Sequence, residues 1–377
     1  MKKRIMLICE ALGGGVRRHI LDILNDPGLT RKYDFFLVYS PNRADDVFKE
    51  HLPGLIEKGI KCFEVKSLVR NLSPKQDWQA FLEVSRIIRI VKPDVVHCHS
   101  SKAGAIGRLA AFHKKIGTIY YTPHGYAAQG AYLSRQKKRM YAYFEKILSK
   151  FTTLTINVSQ GEKDFAVRNK IIEEEKTVVI YNGVTDEEAN GIARDYKKKG
   201  DPITIGCAAR YTPDKNPRLF YEIAKHICLN HQNVRFIYFG DGDFEKKQLE
   251  CLVRREKLQD RIQFHGFEKD VGRLLKTIDI FLSTSTNEAL PYALIEALAH
   301  RLPIVATNIT GNNEIVVDGF NGFLFESGNA MQGVEKIERL LASPELMKTF
   351  GDNAFSLFLE KFRLDEMIRK LNALYDH

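Results

Sequence analysis

Apolar residues fall along this chain in short, dense runs separated by stretches of mixed character. The first series lies at Arg4–Cys9, Phe35–Tyr39, Lys61–Val65, Asp94–Cys98, Thr118–Thr122, Thr153–Val158 and Thr177–Tyr181. Such runs read as strands buried on both faces of a parallel sheet. Between them the spacing lengthens, as at Val16, Ile20, Ile23 and Leu24, where the period is helical. Strand-like and helical segments in alternation predict a doubly wound α/β sheet. A second series begins at Ile203–Ala209 and continues through Val234–Gly240, Ile262–Gly266, Ile280–Leu282 and Ile304–Ala306. Two closing helices are expected over 344–362 and 364–375. The pattern predicts two Rossmann-like domains, the first over 1–184 and the second over 185–363, with Thr185–Pro202 as the linker.

Length and composition agree with two cores. The chain has 377 residues and 44% hydrophobic content. No apolar run approaches a membrane span, and the chain opens directly into a strand with no signal peptide. The six cysteines show no C-x-x-C spacing, and Cys9, Cys98 and Cys207 fall inside apolar runs, as small buried hydrophobes of a reducing cytosol. The net charge of +10 is unequally divided: 31 Lys and Arg against 18 Asp and Glu up to residue 182, then 26 against 29. Only the first half is therefore suited to an extended anionic surface. Within it, Ala131–Phe151 interleaves Arg135, Lys137, Lys138, Arg139, Lys146 and Lys150 with aromatic and aliphatic residues. A basic amphipathic helix of this kind can lie at an anionic membrane, or it can turn its apolar stripe to the core and its basic back to water.

The candidate chemistry sits where strand-like runs end, since ligands of doubly wound sheets bind beyond the carboxyl ends of the strands. Ser283–Thr307 joins two apolar runs through a helix expected to begin at Pro291. The N–H groups at that start, around Leu290, form an anion site with the helix dipole behind them. Glu288 before the helix and Glu296 within it are poor phosphate ligands and good acceptors for sugar hydroxyls. Arg210 and Lys215 follow the first strand of the second series and can neutralise a diphosphate, Arg as a fork and Lys as a point charge. Asp241-Gly242-Asp243 reads as a glycine turn rather than a metal motif. In the first series, Gly13, Gly14 and Gly15 allow a close backbone approach to a ligand. His19 lies one turn into the helix that follows, either at the site or on the surface. His97 and His99 share one face of a strand and invite a metal reading, but without an evident third ligand a hydrogen-bonding role fits better. Lys102 follows them, and His124 precedes Gly125 at the end of the next strand.

Read together, E-x-x-P-x-x-L-x-E-A from Glu288, G-G-V-x-x-H ending at His19, H-S-S-K-A-G from His99, T-P-H-G around His124, N-G-V at Asn182 and D-G-x-N-G-x-L from Asp318 resemble the retaining glycosyltransferases of family 4. The resemblance covers nearly the whole chain and is nearest to the members that build bacterial capsules and exopolysaccharides. It implies the GT-B fold, in which two Rossmann-like domains face each other across a cleft and the last helix, about 364–377, returns to the first. It implies a nucleotide-diphosphate sugar as donor, with Arg210, Lys215 and Leu290 at the diphosphate, Glu296 at the ribose, Glu288 at the transferred sugar and Phe267 where the base is held. It implies that His124 faces the sugar ring, that Gly14 and Gly15 approach the phosphates, and that His19, His99 and Lys102 lie on the acceptor side. No metal or other cofactor is expected, because cationic side chains stabilise the leaving group. The expected partners are the donor, probed first as UDP-linked, a polyprenyl-diphosphate-linked saccharide acceptor and an anionic membrane surface, with no nucleic acid. The expected place is the cytoplasmic face of a bacterial plasma membrane.

Three rivals remain in view. A nucleotide-sugar 2-epimerase shares the architecture but would need acid and base carboxylates on the first domain. A dinucleotide-dependent oxidoreductase would need the G-x-G-x-x-G spacing that residues 13–15 lack. A basic scaffold for polyanions leaves Glu288 and Glu296 without a purpose.

Overall fold

The computed structural model describes residues 2–130, 133–185, 194, 196–198 and 200–377. The chain divides into two compact units, Met1–Asn182 with Asp365–His377, and Gly183–Leu364.

The first unit holds a seven-stranded sheet in the order β3-β2-β1-β4-β5-β6-β7, all neighbours parallel. Its strands are β1 (Lys3–Cys9), β2 (Tyr33–Tyr39), β3 (Lys61–Glu64), β4 (Val95–His99), β5 (Thr118–Thr122), β6 (Leu154–Asn157) and β7 (Thr177–Val179). The helices are α1 (Gly14–Asn25), α2 (Pro27–Lys32), α3 (Asp46–Glu57), α4 (Pro74–Val91), α5 (Ser101–His113), α6 (Arg135–Ser149) and α7 (Gln160–Arg168). Met6, Ile8, Val38, Val96 and Cys98 share a core cluster with Val84 and Ile88 of α4 and Ala103 and Ala110 of α5. Both faces of the central strands are thus covered, which is why these runs are continuously apolar. The strand order reverses between β1 and β4, so the loops after these two strands part to either side and leave a ligand position.

The second unit holds a six-stranded parallel sheet in the order β10-β9-β8-β11-β12-β13. Its strands are β8 (Ile203–Ala208), β9 (Val234–Phe239), β10 (Ile262–His265), β11 (Ile280–Ser283), β12 (Ile304–Thr307) and β13 (Gly322–Phe325). The helices are α8 (Pro217–Asn230), α9 (Asp243–Arg255), α10 (Val271–Leu275), α11 (Tyr292–Ala299), α12 (Asn312–Ile315), α13 (Ala330–Ala342) and α14 (Pro344–Lys361). Strand β13 grows out of the D-G-x-N-G-x-L turn. Asp318 Oδ1 accepts from the Leu324 N–H at 2.8 Å, and Gly322–Phe325 pair with Ile304–Thr307. The final helix, α15 (Leu364–Asp376), returns to the first unit. There the Tyr33 hydroxyl bonds Asn372 Oδ1 and Asp376 Oδ1, both at 2.8 Å, and the Tyr120 hydroxyl donates to the Leu374 carbonyl at 2.8 Å.

Much of the expected linker, at 186–193, 195 and 199, lies outside the described residues, as do 131–132 of the basic segment. The described part packs on the second unit, where the Arg194 guanidinium donates to the His300 carbonyl at 3.2 Å and the Tyr196 hydroxyl to that of Arg301 at 3.1 Å. All six cysteines are free thiols. No helix among the described residues is long and apolar enough to cross a membrane.

Candidate functional site

In the first unit the loops after β1, β4 and β5 carry the candidate residues. Helix α1 starts at Gly14, whose φ of 56° is left-handed and whose surroundings are open. Gly14 and Gly15 are both exposed. His19 is buried beneath them. Loss of hydration lowers its pKa to about 4, opposed by a hydrogen bond to Asn182, so the imidazole is neutral near pH 7. His99 and His124 are held neutral in the same way, by burial first and then by neighbouring imidazoles.

His19, His99 and His124 come together with one nitrogen each, all within 4.8 Å of one another. Three chelating imidazoles would converge on one point about 2.0–2.1 Å from each nitrogen. His99 Nδ1 and His124 Nε2 are 3.2 Å apart, and their rings, tilted by 23°, have centroids 5.4 Å apart. The 3.2 Å separation is that of an N–H···N hydrogen bond, and with His19 the three nitrogens also stand close enough to share one ion. His97 turns to other partners, the Tyr375 hydroxyl at 2.7 Å and Thr122 Oγ1 at 2.8 Å, and ties β4 to β5 and α15.

Two non-glycine residues at these strand ends are left-handed, Ser100 at φ 65° and His124 at φ 54°. A buried carboxylate holds each. Glu10 accepts from the Ser100 hydroxyl, from the Ala103 N–H at 2.9 Å and from Arg43 at 3.1 Å. Glu162 accepts from the Gly125 N–H at 2.5 Å and the Val158 N–H at 2.8 Å, one oxygen to each. No motif read from the chain assigns a role to Glu10 or Glu162. Glu10 directly follows a strand, which was a usable signal, whereas S-x-x-E at Ser159–Glu162 reads only as a capping box. Lys102 is buried, and its ammonium bonds Asp77 at 2.6 Å and the Asn71 carbonyl at 3.0 Å, joining α5 to the start of α4.

In the second unit the loops after β8 and β11 are stitched together. The Thr284 hydroxyl lies 3.1 and 3.0 Å from the Lys215 and Asn216 carbonyls, and the Thr286 N–H donates to the Asp214 carbonyl at 2.7 Å. Across this seam the Lys215 ammonium pairs with Glu288 at 2.5 Å, and the Ser285 hydroxyl donates to the same carboxylate oxygen at 2.8 Å. Arg210 is exposed, with Asp214 3.9 Å away. Glu296 is buried in α11, and Phe267 is exposed after β10. Pro291 is not the first helical residue but the N-cap, extended at φ −74° and ψ 123°, so the helix begins at Tyr292. Pro291 cannot donate, and its carbonyl accepts the Leu294 and Ile295 N–H groups. Two glycines let backbones approach here. A Cβ on Gly311 would sit 2.4 Å from the Ala289 carbonyl oxygen, and one on Gly240 1.8 Å from that of Ala209. Thr307 also shapes the seam, donating to the Ser285 carbonyl at 2.6 Å. Asp241–Asp243 forms the turn into α9, with Gly242 at φ 125°.

Two parallel doubly wound units, one with a glycine-led loop and one with a cation–carboxylate seam beside a helix start, define the GT-B class of nucleotide-sugar enzymes. Two family models match the chain, Glycosyltransferase Family 4 over 13–188 and Glycosyl transferases group 1 over 189–357. The chain belongs to the family 4 glycosyltransferases. Among curated proteins it is 28% identical to an Escherichia coli UDP-Gal:alpha-D-GlcNAc-diphosphoundecaprenol alpha-1,3-galactosyltransferase, covering 86% of each chain. It is 25% identical to the capsular polysaccharide biosynthesis glycosyltransferase CapM of Staphylococcus aureus, covering 81% of this chain and 83% of that one. Among solved structures, HepE of Anabaena, in complex with UDP and glucose, superposes with a TM-score of 0.83 over 99% of both chains at 20% identity.

Proposed function

We propose that this glycosyltransferase moves a sugar, with retention of anomeric configuration, from a UDP-sugar to a polyprenyl-diphosphate-linked saccharide during bacterial cell-surface polysaccharide synthesis. The observation that carries the reading is the Lys215–Glu288 pair beside the start of α11. An incoming diphosphate competes for the Lys215 ammonium. As Lys215 turns to phosphate, Glu288 keeps the Ser285 hydroxyl and gains lone pairs for hydroxyls of the transferred sugar. Arg210, exposed and only loosely paired, adds a second cation, and the helix start at Leu290 adds N–H groups and a favourable dipole. These charges stabilise the departing nucleoside diphosphate, the step a metal serves elsewhere. Glu296 takes the ribose hydroxyls and Phe267 the base. In the first unit, Gly14 and Gly15 serve the phosphates. His124, neutral and fixed by its left-handed backbone, serves the sugar ring, with His19, His99 and Lys102 on the acceptor side.

Donor and acceptor classes are supported by the relatives. UDP is bound in the HepE structure, and the name of the Escherichia coli relative specifies a UDP-sugar and a diphosphoundecaprenol acceptor. Attachment to the cytoplasmic face of the membrane is supported by the basic, aromatic helix α6. The test is incubation with a panel of nucleotide sugars, reading nucleoside diphosphate release, then transfer to a short polyprenyl-diphosphate saccharide with the new anomeric centre read by NMR. An inverted product, or release from no UDP-sugar, would refute the reading.

A further inference from the structure

Helices α4, α5 and α6 form one layer on the first unit, α4 packed along α5 and α5 against α6. Their outward surface takes no part in the chemistry above, yet it is large, apolar and basic. Helix α4 exposes Trp78, Leu82 and Ile90, at 62%, 50% and 65%. Helix α5 adds Leu109 and Phe112, and α6 adds Met140, Tyr143, Phe144 and Ile147. Ring contacts join α4 to α5 and α5 to the residues after α6: Trp78 stacks on Phe81 at 5.4 Å, Phe81 meets His113 at 5.7 Å, and Phe112 meets Phe151 at 4.6 Å.

The exposed charges on this layer are of one sign. Lys75, Arg86 and Arg89 are exposed on α4, and Arg135, Lys137, Arg139 and Lys146 on α6. No Asp or Glu of the three helices is exposed: Asp77 and Glu83 are half-buried and Glu145 is buried. By contrast, α3, which packs against α1, exposes Asp46, Glu50 and Glu57. The layer is also rigidly mounted. Buried Arg108 of α5 bonds Glu145 of α6 at 2.8 Å and lies 3.7 Å over the Tyr121 ring, whose hydroxyl meets Glu145 at 3.1 Å. This clamp fixes the inner side of α6 and leaves Tyr143, Phe144 and Ile147 outward.

We infer that the outward faces of α4, α5 and α6 are one docking surface for an anionic phospholipid bilayer, with Trp78 at headgroup depth. The inference rests on the peripheral attachment proposed for α6 and extends it across the whole layer. Charge decides the occupant. A second copy of the same face would set these seven cations against seven more, whereas anionic headgroups neutralise them while the rings enter the interface. Interfacial tryptophan is favoured because its ring is apolar and its N–H is polar.

Trp78 is the chain's one tryptophan, so the intact protein reports on its own docking. Vesicles of phosphatidylcholine with phosphatidylglycerol should blue-shift its emission, and brominated lipid in them should quench it. Vesicles of phosphatidylcholine alone should do neither. Arg86→Gln with Arg89→Gln, far in sequence from α6, should weaken the partition at least about tenfold with an unchanged Tm. Flotation with unaltered Trp78 emission overturns the three-helix surface and leaves attachment through α6 alone. Absence of flotation overturns both, and nucleoside diphosphate release then still reads the transferase separately. Concentration-dependent dimerisation that protects Trp78 without lipid overturns the choice of occupant.

Discussion

In the first unit the carboxylates that hold the strand ends, Glu10 after β1 and Glu162 in α7, accept backbone N–H groups, and the nearby imidazoles are neutral. In the second, Glu288 meets an ammonium, and Arg210 stands exposed beside the same seam. The folds around them are alike, parallel sheets with loops at the carboxyl ends of strands. The difference lies in what is held in place. The first unit fixes left-handed backbone at Ser100 and His124 and keeps the imidazoles there uncharged, which suits orientation of an uncharged sugar. The second holds paired charge, a lysine ammonium on a carboxylate, and an anion such as a diphosphate can compete for that ammonium. Shared architecture therefore says little about the chemistry of a loop. The donors and acceptors placed at the strand ends decide it.

The contrast is most sharply broken at the charged end. Lys215→Ala and Glu296→Ala should each cost about 2–4 kcal/mol in transition-state stabilisation, read as kcat/KM with the preferred donor. Near-normal turnover in both would remove the donor role from the second unit.

The neutral end is tested by acid. His19 has a folded pKa of about 4, below its unfolded value, so the folded protein binds its proton later than the unfolded chain. Its stability contribution is complete above the unfolded pKa near 6.5 and is lost as pH falls from there towards 4, up to about 3 kcal/mol. His97, His99 and His124, all shifted downwards by burial, add in the same direction. Thermal melting followed from pH 7 to pH 4 should therefore show a falling Tm before most carboxylates titrate. His19→Asn should flatten that slope. A slope unchanged in the variant would show that the imidazole is charged in the fold.

A smaller effect is expected at Glu162. Its two oxygens accept one N–H each, and an amide in their place turns a donor towards one of those donors. Glu162→Gln should lower stability by about 1–3 kcal/mol in denaturant titration and shift the His124 ring signals in NMR. Unmoved His124 signals would separate the clamp from the histidine. Least of all should a strong chelator matter. With Arg210 and Lys215 supplying the charge at the diphosphate, transfer should continue unchanged, and a loss restored by manganese or magnesium would overturn that reading and place an ion among His19, His99 and His124.

Much of this was legible in the chain. The alternation of apolar runs and helical spacing, read with the ordered motifs, led to two doubly wound units, because burial on both faces demands continuous apolar strands. Strand β13 and helix α13 were missed. The former is four residues beyond a glycine turn, too short for periodicity to register. Pro291 was placed one residue too far inside its helix, since a proline suits the cap and the first turn almost equally well.

The sequence by itself determined which residue types stand at the ends of which strands: glycines after the first, histidines after the fourth and fifth, cations after the eighth, carboxylates after the eleventh. Local pattern carries that information because strand, turn and helix are short-range structures. Only the tertiary structure decided which of those groups meet. Lys215 and Glu288 are remote in sequence and paired in space, while Lys102, a plausible site residue by position, gives its ammonium to Asp77. It also decided that His99 and His124 bond each other, and that the outward faces of three separate helices join into one basic, apolar surface. Such pairings depend on side-chain direction and on the packing of distant elements, and a linear pattern encodes neither.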